Sequence, residues 1–369
     1  MLPPIFDSIA DHRVTGRCTY VLSELLTIAL LTYLSNGEDY VDMSDFAEER
    51  ARDFGLLLHN DTSPSPDTFE RLMAAVNPDE IERCLIESGK QFLSSLAEKQ
   101  IVIDGKKLRG ANPTARGTKG DYVLNAFVSE NHLLIGQVAL KDKENEIPAY
   151  PILIDKLDIK DAIVSIDAMG CQTAIAEKIR EKKGHYFLAV KENQKMLHDC
   201  IIEAFRDNKP FNEATEMEGD HGRVETRTCR ILSADKIWDK DLVSKWIDLK
   251  TIVELESEVT QKKTGETTIT KRYYISDEDF PKAAYYNMLA RGHWTIENLL
   301  HWHLDVTFLE DASRARKGNA AQNLSLIRKL ALQVVRNYSD KRSIRKRLFK
   351  ASLNEEYMID IVKNYISVH

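Results

Sequence analysis

The sequence predicts an α/β protein in which a mixed β-sheet core is preceded by one helical region and followed by another. Three patterns support this fold class. Residues 1–98 show helical periodicity with turn signals, residues 99–207 alternate short apolar runs with helical patterns, and helices return after a β-rich stretch. We therefore expect a helical N-terminal domain over residues 1–98 and an α/β domain over residues 99–369, with a β-rich insertion at about 208–280.

The N-terminal region is predicted to contain three helices. The first covers Val21 to Leu34 and is closed by Asn36-Gly37, a typical C-terminal cap. A second helix runs from about Thr68 to Val76, where a proline-containing turn interrupts the pattern, and a third continues to about Ala97. Compact helical modules of this length often bind DNA or a protein partner, but these residues prove neither role.

Two of the predicted strands end on an aspartate. The runs Ile101–Asp104 and Ala162–Asp167 are short, apolar and β-branched, and the elements around them follow the order βββαβαβα. Sites in α/β sheets lie beyond strand ends, so neighbouring strands would place the two aspartates side by side. Adjacent carboxylates repel each other unless a proton or a cation such as Mg²⁺ offsets the repulsion. The alternative is a structural role, such as capping the turn that follows each strand.

A third acidic residue, Glu297, lies in a helix predicted from Trp294 to Asp305. Helical spacing places Glu297, His301 and Asp305 on one face of an otherwise largely apolar helix. This polar stripe favours a cleft-facing site, and the alternative is an amphipathic surface helix whose polar side faces water. We do not expect His301 and His303 to bind a metal, because their i, i+2 spacing points them to different faces and no cysteine is nearby.

The distribution of charge favours contact with nucleic acid, although the net charge of −7 alone does not. Between Arg314 and Lys350 the sequence has twelve basic residues and one acidic residue, a local net charge of +11. Phosphate contacts are local and are screened over about 10 Å, so such a segment can bind DNA even in an acidic protein. The alternative is a solvated helical surface.

The composition argues against several other classes of protein. Hydrophobic residues make up 43% of the chain, and no stretch reaches the roughly 18 apolar residues that a membrane span needs. The N-terminus lacks the charged start and apolar run of a secretory signal. The five cysteines are scattered without a C-x-x-C pair, which argues against a disulfide framework or a zinc finger. We expect a cytoplasmic protein without a membrane partner.

Several motifs together are characteristic of one family. They are IVIDGKKLRGA around Asp104, VSIDAMGCQ around Asp167, RGHWTIENLLHWHLDVTFLEDASRARKGNA around Glu297, HGRVETR from His221 to Arg227, and AVKENQ from Ala189 to Gln194. Over nearly its whole length the sequence resembles the bacterial insertion-sequence transposases of the H-repeat-associated (ISAs-type) family. The resemblance implies a ribonuclease-H-like core in which Asp104, Asp167 and Glu297 are catalytic and hold two divalent metal ions, Mg²⁺ or Mn²⁺.

The third acid of this set has two rivals. Related transposases carry a tyrosine-arginine-glutamate-lysine signature around the last acid. Here Arg291 lies six residues before Glu297, and Leu304 stands where a basic residue is expected. Asp305 and Glu310 therefore stay open as alternatives to Glu297.

Basic and polar residues near the acids and in the insertion are predicted to bind DNA. The alternative for each is a solvated surface charge. For the residues of the insertion, contact with DNA is implied by the resemblance. The predicted set comprises Lys106, Lys107, Arg109, Lys191, Asn193, His221, Arg223, Arg227, Arg314, Arg316 and Lys317.

The resemblance implies a transposase that cleaves DNA strands at the ends of its own insertion sequence and joins them to a target. Two metal ions can support both displacements, so no covalent protein–DNA intermediate is expected. The expected partners are double-stranded DNA and a second copy of the chain, in a homodimeric synaptic complex associated with the nucleoid. Two alternatives are a DNA-binding remnant or repressor without transposition activity, and a ribonuclease-H-like nuclease.

Overall fold

The computed structural model describes residues 2–14, 16–111, 121–140, 147–220 and 222–366. The N-terminal helices are α1 (Leu22–Leu34), α2 (Tyr40–Glu49), α3 (Pro66–Ala75) and α4 (Pro78–Lys90). The strands are β1 (Gln100–Lys107), β2 (Tyr122–Val128), β3 (Leu133–Leu140), β4 (Ile163–Ile166), β5 (His185–Val190), β6 (Asn212–Asp220), β7 (Arg223–Ser233), β8 (Thr251–Gln261) and β9 (Thr267–Ser276). The helices among the strands are α5 (Ala149–Asp155), α6 (Thr173–Glu181), α7 (Lys195–Asp207) and α8 (Lys240–Ser244).

Helices follow the last strand to the end of the described chain. They are α9 (Ala283–His293), two π-helical segments (Ile296–His301 and His303–Thr307), α10 (Ala320–Asn337), α11 (Ile344–Leu353) and α12 (Glu355–Ile366). None of the helices in the described ranges combines the length and the apolar content that crossing a membrane requires.

In the described part of the chain, one nine-stranded sheet has the order β3-β2-β1-β4-β5-β9-β8-β7-β6. β1, β4 and β5 are parallel to one another, whereas β2 and β3 are antiparallel to their neighbours. β9 pairs antiparallel with β5, and β8, β7 and β6 continue the antiparallel pattern to the edge. The first five strands form a mixed, ribonuclease-H-like arrangement, and the predicted fold class is confirmed.

The region predicted as a β-rich insertion extends the central sheet instead of forming a sheet of its own. Strands β7, β8 and β9 cover the strand-like runs Val224–Leu232, Thr251–Val259 and Thr267–Ile275 that the sequence predicts, but β6 was not predicted. Its sequence, NEATEMEGD, is polar and rich in glutamate, which strands usually disfavour. β6 forms because it pairs with β7 at the sheet edge, where Arg230 Nε lies 2.6 Å from Glu213 Oε2.

The helices at the two ends of the chain share one hydrophobic core. α1 is apolar on nearly all sides and is almost entirely buried, because α2, α10 and α11 pack around it. α10 also packs against α3, α4 and α12. The core therefore combines buried residues such as Phe6 and Leu30 with Leu330 and Ile361 from the other end of the chain. The division of the chain at residue 98 stays a prediction, since residues on both sides of it build this core.

The basic segment from Arg314 to Lys350 does not form one continuous positive surface, which corrects the expectation. α10 passes through the core, so Arg328 and Lys329 are each only 1% exposed. Arg328 donates to two backbone carbonyl oxygens and Lys329 to two buried side-chain amides. Arg347 donates to carbonyl oxygens at the C-terminal end of α10. The basic residues of this segment that stay exposed are Arg314, Arg316, Lys317, Lys341, Arg342, Arg345 and Lys346.

Candidate metal centre

Asp104 lies inside strand β1 and not at its end, which corrects the prediction. β1 continues beyond this residue because it pairs with β2 as far as Lys107, which lies opposite Tyr122. Gly105 permits the pairing, since a Cβ at that position would overlap the ring of Tyr122. Side chains alternate along a strand, so Asp104 and Lys106 lie on the same face of the sheet.

Asp167 directly follows β4, as predicted, and lies beside Asp104. Ile103 and Ile166 are partners in the parallel ladder, so the next residue of each strand is an aspartate, on backbones about 5 Å apart. Asp167 Oδ1 also accepts hydrogen bonds from two backbone N–H groups of the following 3₁₀ turn, at 3.1 and 3.4 Å. Asp167 therefore caps the turn through Oδ1, as the structural alternative predicted, and Oδ2 takes no part in this cap.

The helix predicted from Trp294 to Asp305 is present, but most of it is π-helical. In the two π-helical segments the backbone hydrogen bonds span five residues, as from Phe308 N to His303 O at 3.0 Å. One side of this helix faces β1. From this side His301 contacts Glu297 and Asp104, and Asp305 contacts Lys106. Such π-helical turns are rare and occur frequently at functional sites.

Asp104, Glu297 and His301 form a group that we call the acidic cluster. His301 Nδ1 lies 3.0 Å from Glu297 Oε2 and 3.6 Å from Asp104 Oδ2. One potential metal-ligating atom from each of the three residues lies within 4.8 Å of the others. Among the described residues, neither carboxylate forms an ion pair with a lysine or an arginine. The side chain of Glu297 is 57% exposed, so the acidic cluster is open to solvent.

The electrostatics of the acidic cluster fit a divalent cation. Burial, together with the negative charges of Asp167 and Glu297, raises the pKa of Asp104 to about 6, although His301 acts in the opposite direction. The hydrogen bond with His301 lowers the pKa of Glu297. A cation relieves the repulsion between crowded carboxylates, and carboxylate oxygens are the ligands that Mg²⁺ and Mn²⁺ prefer. The residues present therefore fit the divalent metal that the resemblance implies.

A second group of charges lies two residues further along β1, and we call it the lysine cluster. Lys106 Nζ forms an ion pair with Asp305 and lies 3.4 Å from Glu310 Oε2 and 3.7 Å from Asp311 Oδ1. Burial alone would lower the pKa of Lys106, but the charges of Glu310 and Asp305 raise it. Burial alone would likewise raise the pKa of Glu310, but Lys106 and Lys329 lower it. Lys106 and Glu310 therefore each favour the ionised form of the other.

The two rivals for the third acid both belong to the lysine cluster. Asp305 and Glu310 already have an ammonium partner, and Glu310 is only 4% exposed. Glu297 has no lysine partner, lies near Asp104 and is open to solvent. The geometry therefore favours Glu297 over its rivals, and its role as a metal ligand stays a prediction.

Most of the predicted DNA-binding residues are exposed. Arg316 donates to the carbonyl oxygen of Gly110 at 3.3 Å, so the start of the basic segment lies against the loop that follows β1. Asn193 donates to the carbonyl oxygen of Ala168, which directly follows Asp167. Asn193 thus lies close to Asp167, and Arg316 lies close to the loop after the strand that carries Asp104. The exposed residues are Lys107, Arg109, Lys191, Asn193, Arg223, Arg314, Arg316 and Lys317.

Three predicted DNA-binding residues differ from this pattern. Lys106 is buried in the lysine cluster. Arg227 is 6% exposed, and its guanidinium lies between 3.2 and 3.7 Å from Glu216, Glu218 and Glu225. These ion pairs within the protein do not support contact of either residue with phosphate. His221 lies outside the described residues.

His301 lies in the acidic cluster, although its sequence pattern made metal binding by this residue a disfavoured alternative. We expected His301 and His303 to point to different faces, and they do, since His303 Nδ1 lies 3.0 Å from Thr307 Oγ1. Of the two residues, His301 alone faces Asp104 and Glu297, so the argument from different faces leaves His301 in a position to bind a metal. Its i, i+4 spacing from Glu297 was the available signal.

The fold and the site together define a ribonuclease-H-like protein with an acidic centre on its sheet. A family model described as "Transposase DDE domain" matches residues 96–334, and a second model described as "DDE_Tnp_1-associated" matches residues 4–87. The chain belongs to the DDE transposase family, a class of enzymes that cut and join DNA.

Individual relatives agree with this assignment. "Putative transposase YncI" of Escherichia coli O157:H7 is 34% identical over 96% of this chain and 92% of its own length. "H repeat-associated putative transposase YhhI" of E. coli strain K12 is 34% identical over 96% of this chain and 95% of its own length. The resemblance to the H-repeat-associated family is therefore confirmed. A solved structure of a piggyBac transposase synaptic complex with hairpin DNA is 12% identical, with a TM-score of 0.43, over 97% of this chain and 75% of that chain.

Proposed function

We propose that this protein is an active transposase that cleaves DNA at the ends of its insertion sequence and joins them to target DNA. In this proposal Asp104, Asp167 and Glu297 hold two divalent metal ions, Mg²⁺ or Mn²⁺. The observation that carries the proposal is the acidic cluster, whose carboxylates lack any lysine or arginine ion pair among the described residues and lie beside Asp167. Crowded carboxylates without a lysine or arginine partner favour the binding of a cation from solution.

The protein's own residues contribute position and charge. When bound, two metal ions stabilise the attacking and leaving oxygens of an in-line displacement at phosphorus. Asp104 and Asp167 project from neighbouring parallel strands, whose backbone ladder fixes their spacing. Glu297 reaches them from the π-helix, which the ion pair between Lys106 and Asp305 holds against β1. Because no covalent protein–DNA intermediate is needed, the proposal requires no serine or tyrosine nucleophile.

Exposed basic and polar side chains of the protein supply the DNA contacts in this proposal. Lys107 and Arg109 follow the first aspartate, Lys191 and Asn193 follow β5, and Arg314, Arg316 and Lys317 begin the basic segment. The two ends of an element must be joined together, so a homodimer on double-stranded DNA in the cytoplasm is part of the proposal. Phosphate contacts release counterions, and binding should therefore weaken steeply as salt increases.

The test is metal-dependent cleavage of a DNA duplex that carries the end of the element. Asp104→Ala, Asp167→Ala and Glu297→Ala should each reduce cleavage at least about a thousandfold, because loss of the metal removes several kcal/mol of transition-state stabilisation. A gel-shift assay should find their DNA affinity retained. If wild-type protein binds the duplex but never cuts it with Mg²⁺ or Mn²⁺, the protein is a DNA-binding remnant. If Glu297→Ala cuts normally while Asp305→Ala does not, the third ligand lies in the lysine cluster.

A further inference from the structure

The side chain of His301 is placed unlike that of an ordinary surface histidine. It is only 4% exposed, although it lies next to the solvent-open Glu297. Nδ1 faces the acids, 3.0 Å from Glu297 Oε2 and 3.6 Å from Asp104 Oδ2. Nε2 points away from them and is buried, with no hydrogen-bond partner among the described residues.

Three potential ligand atoms thus lie within 4.8 Å of one another, and an electropositive atom must separate Nδ1 from the carboxylate oxygens. This atom is either a proton on Nδ1 or a metal ion. A proton on Nδ1 would serve only the hydrogen bond to Glu297 at 3.0 Å, because Asp104 Oδ2 at 3.6 Å lies beyond hydrogen-bond distance. A metal ion on Nδ1 leaves the ring neutral and relieves the repulsion between all three atoms.

We propose that His301 Nδ1 is a direct ligand of the metal ion that Asp104 and Glu297 hold, so that the site has two oxygen donors and one nitrogen donor from these residues. The proposal rests on the proposed function only in that the two carboxylates bind metal. A nitrogen ligand favours Co²⁺ most and Mn²⁺ less, whereas Mg²⁺ prefers oxygen ligands throughout. The site should therefore bind Mn²⁺ and Co²⁺ more tightly than Mg²⁺, and His301 should be the cause.

His303 provides a matched control for this proposal. It lies two residues further along the same helix, and burial lowers its pKa to about 4. Its Nδ1 lies 3.0 Å from Thr307 Oγ1 and does not belong to the acidic cluster. His303→Asn therefore removes an imidazole from the same helix without removing a proposed ligand.

The experiment is pulsed electron paramagnetic resonance on the full-length protein loaded with Mn²⁺, with histidine labelled by ¹⁵N. Wild type and His303→Asn should show hyperfine coupling from a directly bound nitrogen, and His301→Asn should lack it. Absence of the coupling in wild type, or its persistence in His301→Asn, would overturn the proposal. If His301→Asn does not fold, His301→Gln serves in its place, and absence of the coupling in wild type overturns the proposal without any variant.

Metal titrations separate this proposal from the proposed function. His301→Asn should weaken Mn²⁺ and Co²⁺ binding at least about tenfold and Mg²⁺ binding less, while His303→Asn should change neither. If metal binding requires Asp104 but shows no nitrogen coupling, only the role of His301 is wrong, and the residue merely positions Glu297. If Asp104→Asn binds metal as well as wild type does, the metal site of the proposed function fails.

Discussion

The acidic cluster and the lysine cluster lie two residues apart on β1, but only the lysine cluster contains an ammonium group. In the lysine cluster one buried ammonium meets three carboxylates, those of Asp305, Glu310 and Asp311. In the acidic cluster two carboxylates share an imidazole and, among the described residues, form no ion pair with lysine or arginine. Both clusters are formed by β1 and the segment that follows α9.

The difference teaches how one strand face can serve two purposes. A carboxylate that has an ammonium partner within the chain can be buried, as the 4% exposure of Glu310 indicates. A cluster that depends on a cation from solution must stay open, as the 57% exposure of the Glu297 side chain indicates. We infer that the lysine cluster clamps the π-helix to the sheet. This clamp fixes the position of Glu297 and His301 in the acidic cluster.

The largest expected effect comes from placing a lysine within the acidic cluster. Glu297→Lys should place an ammonium near Asp104 and replace the metal, so that cleavage falls at least about a thousandfold. Thermal stability in EDTA should be unchanged or higher, since the new charge pairs with a partly buried carboxylate. Glu297→Gln is the control, because it should lose activity without this gain. Retained cleavage by Glu297→Lys would contradict the distinction between the clusters.

The converse change removes the lysine from the lysine cluster. Lys106→Met should reduce the free energy of unfolding by about 3 kcal/mol, because it leaves buried carboxylates, Glu310 above all, without their nearest cation. Lys107→Met is the matched control, since this neighbouring side chain is exposed and should change stability by less than about 0.5 kcal/mol. Urea denaturation in EDTA measures both values. Equal effects of the two substitutions would show that the lysine cluster is not a clamp.

Added metal should stabilise the protein through the acidic cluster alone. At a hundredfold excess of Mn²⁺ over its dissociation constant, the free energy of unfolding of wild type should rise by about 2.7 kcal/mol. Asp305→Asn should keep this gain, and Asp104→Asn should lose it. Without metal, Asp104→Asn should be at least as stable as wild type, because the pKa of Asp104 is raised to about 6 and its ionised form costs stability above that pH. A full metal response in Asp104→Asn would place the cation elsewhere.

The sequence contained the information for the main elements but not for the contacts between them. Apolar runs predicted β1 and β4, and the helical pattern predicted the helix that carries Glu297, because these signals are local. Lys106 was assigned to DNA because it follows Asp104. Its partner Asp305 lies 199 residues away, and only the alternation of side chains on β1 together with the fold brings them into contact.

Two further differences have the same origin. Nothing local in the sequence around Glu297 distinguishes a π-helix from an α-helix, although the π-helical turns are part of what presents Glu297, His301 and Asp305 to β1. The basic segment was treated as one surface because its charges are close in sequence. Burial of α10 by helices from the other end of the chain removes Arg328 and Lys329 from that surface, and no local signal shows it.

The smallest expected effect concerns a second buried lysine behind the lysine cluster. Burial lowers the pKa of Lys329 to about 8, although Glu310 and Glu82 raise it, and Lys106 lowers it slightly. Between about pH 8 and pH 10.5 the unfolded chain therefore holds a proton that the folded protein has released, so this group makes the free energy of unfolding rise with pH. Below pH 8 both states hold the proton, and the contribution is constant.

Lys329→Met tests this pH dependence by comparison with wild type. The free energy of unfolding of wild type minus that of the variant should be flat from pH 6 to pH 7. Above pH 8 it should rise by about 1 kcal/mol per pH unit, since one proton accounts for at most about 1.4 kcal/mol per unit. Urea denaturation across this range measures the slope. A flat difference throughout would mean that Lys329 stays charged beside Glu310, and that two ammonium groups, not Lys106 alone, balance the buried acid.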